Sequence, residues 1–286
     1  MTSTVLAALA LVSASGQLHR VPSLSGDVRP MEPVRSEILG NSRQVWVFVP
    51  PGYDARGNER RYPVLYMHDG QNVFDGLSSF IANEEWGADE SADAMIRAGL
   101  CEPVIIVAVP NAGASRADEY LPTRATLGKS ETGGKADLYG KFISEELKPL
   151  VDKEYRTLPG PQDTALCGSS FGGIVSLHLA LTRPDVFGKA IVMSPSLWWD
   201  DKLMIKRVQE REEAARPKLW VDMGHLEEPA AIMNARALDK ALQGKGWEKG
   251  KDLVYIEYLG ARHNERAWRE RFDLALSWTF PPKVEN

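Results

Sequence analysis

Apolar runs of strand length alternate with longer amphipathic segments along most of the chain. The runs are apolar nearly throughout, which is typical of strands buried on both faces of a parallel sheet. Strands are expected within RQVWVFVP (from Arg43), YPVLYMHDG, EPVIIVAVPN, DTALCG, GKAIVMSPS, PKLWVDMGH and DLVYIEYLG, and helices within EEWGADESADAMIRAG, ADLYGKFISEELKPLVDKEY, FGGIVSLHLALTRP, PAAIMNARALDKALQGKG and NERAWRERFDLALSW. The pattern predicts an α/β fold with a mostly parallel central sheet and helices on both faces.

Ligands bind to such sheets beyond the carboxyl ends of the strands, where the loops gather. The polar and glycine-rich segments that follow the predicted strands are therefore the candidates for chemistry. They are HDGQN, VPNAGASRADEY, GSSFGG, SPSLWWD, GHLEEP and GARHNE.

The segment GSSFGG lies between a predicted strand and a predicted helix and matches the pattern G-x-S-x-G at Gly168, Ser170 and Gly172. In that sharp turn a serine hydroxyl is held above the sheet at the amino end of a helix, where backbone N–H groups stabilise developing negative charge. A capped helix start is the plainer alternative. A phosphate-binding loop is not expected, because Ile174 follows where that motif needs a lysine.

A nucleophilic serine needs a histidine base and an orienting acid, which follow it in the order acid, then histidine, in this type of fold. His263, in the loop after the last predicted strand, is the expected base. Glu227, in the loop after KLWVDMG, is the first choice for the acid, and Asp222 and Glu228 stay open as alternatives.

An oxyanion hole needs two backbone N–H donors. One is expected from Phe171, directly after the serine, and the other from Gln71 in HDGQN, where Gly70 allows a close approach of the backbone. His68 and Asp69 lack a third ligand at useful spacing, so no metal site is predicted.

The amino-terminal residues 1–16 contain the apolar run VLAALALVSASG, which is too short to span a bilayer and ends in small residues. This pattern favours a cleaved export signal, and hence a secreted or periplasmic protein, although the start MTST has no basic residue. A cytoplasmic location is the alternative. Residues 17–36 are interpreted as a leader and residues 37–286 as one catalytic domain.

Composition narrows the classes of partner. The chain has 286 residues, of which 43% are hydrophobic, and a net charge of −5, so it has a large core and no basic field for nucleic acid or an anionic membrane. No other run reaches transmembrane length. The two cysteines, Cys101 and Cys167, form neither a disulfide framework nor a metal motif. The sequence does not indicate an oligomeric state.

The segments YPVLYMHDGQNVFD, LCGSSFGGIVSLHLALTRPDVFGKAIVMSPSLWW, VDMGHLEE and GARHNERAWRERF together resemble the esterase family of α/β-hydrolases. Feruloyl and acetyl-xylan esterases, enterochelin esterases and S-formylglutathione hydrolase belong to that family. The resemblance implies an α/β-hydrolase fold, a triad of Ser170, Glu227 and His263, and oxyanion donors at Gln71 and Phe171.

The activity implied by the resemblance is hydrolysis of a carboxylic ester through an acyl-enzyme, without a metal or cofactor. Carbohydrate-linked acetyl or feruloyl esters and siderophore-type esters are the expected substrates. Trp86, Trp198 and Trp199 are candidates for stacking on the substrate, with core packing as the alternative. An acyltransferase and a catalytically silent binding domain are the other functions considered.

Overall fold

The computed structural model describes residues 20–212 and 215–283. The predicted export signal, residues 1–16, lies outside them. An eight-stranded sheet forms the centre of the described chain, in the spatial order β1, β4, β6, β5, β9, β10, β11, β12. Its strands are β1 (Asp27–Pro30), β4 (Trp46–Val49), β5 (Val64–His68), β6 (Ile105–Val109), β9 (Thr164–Ser169), β10 (Lys189–Met193), β11 (Lys218–Gly224) and β12 (Leu253–Tyr258), and two hairpins are formed by β2 (Val34–Ser36) with β3 (Asn41–Arg43) and by β7 (Arg124–Leu127) with β8 (Ser130–Gly133).

The six strands from β6 to β12 in this spatial order run parallel to one another. At one edge of the sheet, β4 pairs antiparallel with β6, and β1 pairs antiparallel with β4. Every residue of β5, β6 and β9 is buried, as the continuous apolar runs predict for strands covered on both faces. The mostly parallel sheet and its flanking helices confirm the predicted fold class.

Two hydrophobic clusters cover the two faces of the sheet. The smaller cluster includes the apolar side chains of α1 and α8, which pack against each other, and the larger includes those of α3, α5, α6 and α7. The helices are α1 (Ala88–Arg97), α2 (Arg116–Tyr120), α3 (Ala136–Lys141), α4 (Lys148–Glu154), α5 (Phe171–Thr182), α6 (Trp199–Glu210), α7 (Pro229–Gly244) and α8 (Glu265–Thr279).

The apolar pattern predicted the parallel strands and the helical segments of α1, α3 with α4, α5, α7 and α8, but it missed the 12-residue helix α6 and several shorter elements. A π-helical segment, Phe142–Leu147, joins α3 to α4. The helix predicted from Ala136 is therefore continuous, but its α-helical hydrogen bonding is interrupted. The strands β1 and β2 lie within the predicted leader, and β1 pairs with β4 at the sheet edge. Two strands therefore lie before residue 37.

Candidate active site

Ser170 lies where β9 passes into α5, with φ 58° and ψ −119°, a backbone conformation that side-chain-bearing residues rarely adopt. Its N–H donates to the carbonyl of Met193 (3.1 Å), and its carbonyl accepts from the N–H of Ser196 (3.2 Å). These bonds to the last residue of β10 and to the segment after it hold the strained turn in place. Strain of this kind persists only where the surroundings enforce it, and it is concentrated at functional sites.

Neighbouring atoms exclude a side chain at one glycine beside this serine and leave little space at another. A Cβ at Gly168 would lie 2.7 Å from the backbone of Gly172, closer than carbon atoms can approach. A Cβ at Gly172 would lie 3.3 Å from Asp69 Oδ2 and 3.5 Å from His68 Cβ. The turn is therefore packed tightly against the segment that follows β5.

His263 lies in the loop between β12 and α8, and its Nδ1 is 2.7 Å from Glu227 Oε2. The histidine side chain is 42% exposed, whereas that of Glu227 is 4% exposed. This leaves the other imidazole nitrogen on the more open side of the pair. A buried carboxylate that binds Nδ1–H fixes the tautomer and orientation in which Nε2 can accept a proton.

The other oxygen of Glu227, Oε1, accepts hydrogen bonds from the N–H of Gly224 (2.9 Å) and from the hydroxyl of Ser194 (2.5 Å). Burial raises the pKa of Glu227, but the hydrogen bonds from His263 and Ser194 outweigh it, so its pKa lies below the ordinary value. The carboxylate therefore stays ionised beside the imidazole at neutral pH.

The structure brings Glu227 to His263 and keeps both alternative acids away from it. Asp222 is fully buried within β11, where it accepts from Trp220 Nε1 (2.8 Å) and pairs with Arg271 (3.0 Å). Glu228 is exposed and lies directly before the first turn of α7.

The segment after β5 forms a short turn over Gly70–Asn72 that contains Gln71. A Cβ at Gly70 would lie 2.5 Å from backbone atoms of Ala108 and Val109, so the turn packs directly on β6. The side-chain oxygen of Gln71 accepts from the N–H of Asn111 (3.2 Å), and the backbone carbonyl of Gln71 accepts from the hydroxyl of Ser78 (2.7 Å). The turn that would supply the second oxyanion donor is thus held by its packing on β6 and by the hydrogen bonds from Asn111 and Ser78.

One cleft of about 460 Å³ opens over these residues at the carboxyl ends of the strands. Ser170, His263 and Gln71 all line it, although they are far apart in the sequence. Phe80 and Trp86 also line it. The cleft therefore joins a strained serine, a histidine oriented by a carboxylate, and an aromatic surface.

The hydroxyl of Ser170 is 3.1 Å from that of Ser196, and this is the hydrogen bond it forms, rather than one to His263. Catalytic hydrogen bonds are commonly long in a site without substrate and shorten when the substrate is bound. Ser196 was not singled out in the sequence because nothing in SPS distinguishes it from an ordinary loop serine.

The three tryptophans predicted to bind substrate occupy different environments. Trp86 lines the cleft, although it is largely buried against the rings of Trp268 (5.9 Å) and Phe272 (6.0 Å). Trp198 is 47% exposed and lies beside the ring of Phe171, outside the cleft lining. Trp199 is instead a core residue, because its ring is buried and its indole N–H donates to Thr123.

A partly buried ion pair between Arg116 and Asp69 also lines the cleft. Arg116 donates to both oxygens of Asp69 (2.6 and 2.7 Å), and Asn111 Nδ2 donates to Oδ1 (2.6 Å). Burial raises the pKa of Asp69, but Arg116 outweighs it, and the pKa lies below the ordinary value. The guanidinium also lies over the ring of Phe171 (5.3 Å), so it links the two candidate oxyanion segments.

Two structural features bear on partners and metals. Within residues 20–212 and 215–283, no helix is both long and apolar enough to cross a membrane. In the same ranges, no three histidine, cysteine or acidic side chains are grouped so that they could hold a metal ion.

The sequence from residue 36 to residue 279 matches the family described as "Putative esterase". The chain belongs to this esterase family. The match covers most of the chain, including the serine turn and the loops of Glu227 and His263, and it confirms the resemblance noted in the sequence.

Several curated relatives of the chain have named activities, among them the following two. The ferri-bacillibactin esterase BesA of Bacillus subtilis is 29% identical over 153 residues, which cover 51% of this chain and 52% of BesA. The endo-1,4-beta-xylanase/feruloyl esterase of Xylanibacter ruminicola is 25% identical over 82% of this chain and 29% of its own length. The matched segment therefore spans about half of the first relative and under a third of the second.

The crystal structure of the BES protein from Bacillus cereus superimposes with a TM-score of 0.71 at 20% identity, covering 92% of this chain and 98% of that one. The esterase-family chain therefore has the same α/β-hydrolase type of fold.

Proposed function

We propose that this chain is a serine carboxylic-ester hydrolase in which Ser170, His263 and Glu227 form the catalytic triad. The observation that carries the proposal is the shared cleft: a strained serine and a histidine held by a buried carboxylate line the same cavity. Family membership independently supports ester hydrolysis.

In the proposed reaction, Nε2 of His263 removes the hydroxyl proton of Ser170 as the oxygen attacks the ester carbonyl. The N–H groups of Gln71 and Phe171 stabilise the oxyanion that forms. The protonated histidine then gives its proton to the leaving alcohol, which departs and leaves an acyl-enzyme. Water, activated by the same histidine, releases the acid and restores the serine.

We propose that the substrates are esters with an aromatic or extended acyl portion, such as feruloyl esters of carbohydrates or siderophore-type esters. The names of the two curated relatives support this class. The cleft supports it as well, because Phe80, which is 80% exposed, and Ile81, 43% exposed, give it an apolar edge. Exposed apolar side chains at a cleft are typical of ligand-binding surfaces.

An acyltransferase of the same fold would use the same triad and pass the acyl group to a sugar alcohol instead of water. A silent binding domain would have no need of the strained serine or the oriented histidine.

Export of the protein is a further proposal, which rests on the apolar run in residues 1–16.

The test compares purified wild-type protein with Ser170→Ala on p-nitrophenyl acetate and methyl ferulate. We expect the wild type to release product from both esters and the variant to lose at least about 10³-fold in rate. Adding a sugar alcohol and analysing the products separates hydrolysis from transfer. Equal activity of the two proteins would contradict the proposed nucleophile.

A further inference from the structure

Behind the Glu227 carboxylate lies a buried serine that the proposed reaction does not use. Ser194 follows β10, is 1% exposed, and has a positive φ of 42°. Three hydrogen bonds meet at its hydroxyl oxygen: with Glu227 Oε1 (2.5 Å), with Arg271 Nη2 (2.6 Å) and with Trp268 Nε1 (3.0 Å).

The chemistry of these groups fixes the direction of each bond. The indole N–H of Trp268 and the guanidinium of Arg271 can only donate, so they occupy both lone pairs of the serine oxygen. The single hydroxyl hydrogen of Ser194 must therefore point at Glu227 Oε1. A hydroxyl with this arrangement has no rotational freedom and no other acceptor.

Arg271 is nearly as buried as the serine, at 1% exposure, and its charge is balanced by Asp222 at 3.0 Å. Asp222 lies on β11, and Arg271 and Trp268 lie on α8. The backbone N–H of Ser194 donates to the carbonyl of Asp222 (2.9 Å). The backbone of Ser194 is thus bound to β11 and its hydroxyl to α8, both of which belong to the packed scaffold and not to the loops that hold Glu227 and His263.

We propose that Ser194 is a positioning residue that orients the Glu227 carboxylate, with Arg271 and Trp268 fixing the direction of its hydroxyl. The inference rests on the proposed function, since it assigns Glu227 as the acid. With Oε1 held by Ser194 and Gly224, Oε2 is the oxygen that faces His263 Nδ1. The packed scaffold thereby sets the position of the half-exposed imidazole.

Removing this hydroxyl should affect turnover more than binding, because Ser194 lies behind the acid and does not line the cleft. For Ser194→Ala we expect kcat on p-nitrophenyl acetate to fall roughly 10- to 100-fold with KM nearly unchanged, the effect of losing a hydrogen bond to a charged group. Ser194→Gly serves as the second variant, since glycine adopts positive φ without strain.

A matched control exists among the residues that do not line the cleft. Ser36 in β2 is also 1% exposed, and its hydroxyl donates to the carboxylate of Glu146 at 2.5 Å. Ser36→Ala removes the same kind of hydrogen bond away from the cleft, so its kcat should match that of the wild type. Far-ultraviolet circular dichroism checks that each variant is folded.

Two measurements distinguish positioning from general destabilisation. The first is the low-field proton resonance of the bond between His263 and Glu227, which should shift or broaden in Ser194→Ala and Ser194→Gly but not in Ser36→Ala. The second is a double-mutant cycle with Glu227→Gln, in which adding Ser194→Ala should change kcat by less than about 2-fold, because residues acting through one group are not additive.

Folded Ser194 variants with wild-type kcat and an unchanged proton resonance would overturn the inference, even if Glu227→Gln is inactive. Full additivity of Ser194→Ala and Glu227→Gln would overturn it as well. Wild-type activity of Glu227→Gln would overturn both the inference and the assignment of Glu227 in the proposed function, so the two failures are distinguishable.

Discussion

At the scale of single residues, the site depends on positions where only one side chain meets the steric and electrostatic demands. Ser170 has a positive φ that its neighbours enforce, and Gly168 has no room for a Cβ. Both features could be predicted from G-x-S-x-G, because the motif exists for these steric reasons. The role inferred for Ser194 could not, since it depends on residues 33 to 77 positions away that only the fold brings together.

Gly168→Ala should inactivate the protein, because the added methyl would lie 2.7 Å from the backbone of Gly172 and would displace the serine turn. We expect a loss of at least about 10²-fold in kcat/KM together with a lower thermal midpoint. Gly244→Ala is the control, since no atom lies within 4 Å of its Cβ position. A Gly168→Ala protein as active as this control would show that the turn tolerates a side chain.

Glu227→Gln keeps the size of the side chain but removes the charge that orients the imidazole. By analogy with the equivalent change in serine proteases, kcat should fall by roughly 10³- to 10⁴-fold with little change in KM. Steady-state kinetics on p-nitrophenyl acetate measure this loss. Glu228→Gln, at an exposed neighbouring position, should leave kcat within about 2-fold, and a similar loss in both variants would exclude Glu227 as the specific acid.

At the scale of elements, the segment between β5 and α1 forms the apolar edge of the cleft. Asn72 holds it in place: its Oδ1 accepts from the N–H of Phe80 (2.8 Å), and its Nδ2 donates to Glu265 (3.2 Å) at the start of α8. The apolar pattern predicted β5 before this segment and α1 after it. It could not predict this segment, because its conformation is set by side-chain to backbone hydrogen bonds and not by periodic burial.

Phe80→Ala should weaken binding of aromatic esters selectively. We expect KM for methyl ferulate to rise by roughly 5- to 20-fold, the effect of losing one apolar side-chain contact, while kcat/KM for p-nitrophenyl acetate changes by less than about 2-fold. Leu274→Ala on α8 removes an exposed apolar side chain outside the cleft lining and should leave both unchanged. Equal effects of Phe80→Ala on both esters would contradict a role for this edge in acyl selection.

At the scale of the whole molecule, the parallel sheet collects loops from distant parts of the sequence at one edge. The carboxyl ends of β5, β9, β11 and β12 supply Gln71, Ser170, Glu227 and His263 respectively. The fold class and these four loops could be predicted from apolar runs and motif order. The edge strand β1 could not, because its four residues DVRP lack a burial pattern of their own and are ordered by pairing with β4.

The buried His68 should make folding stability depend on pH. Burial lowers its pKa to about 3, from 6.5 for an ordinary histidine. Between these values the unfolded chain binds a proton that the folded chain does not, so stability is lost as the pH falls below 6.5. Urea unfolding near pH 7 and about pH 5 measures how far the free energy of unfolding falls between the two pH values. This fall should be smaller in His68→Gln than in the wild type, by about 2 kcal/mol. Equal losses would contradict a neutral buried histidine.

The central claim is that Ser170 becomes acylated. The most direct measurement is rapid acid quenching of the protein during turnover of a slowly hydrolysed aromatic ester, followed by mass spectrometry of the intact chain and its peptides. We predict a mass increase equal to the acyl group, located on the peptide that contains Ser170 and absent from Ser170→Ala. Turnover without any acyl adduct on that serine, or an adduct that persists in Ser170→Ala, would contradict the account.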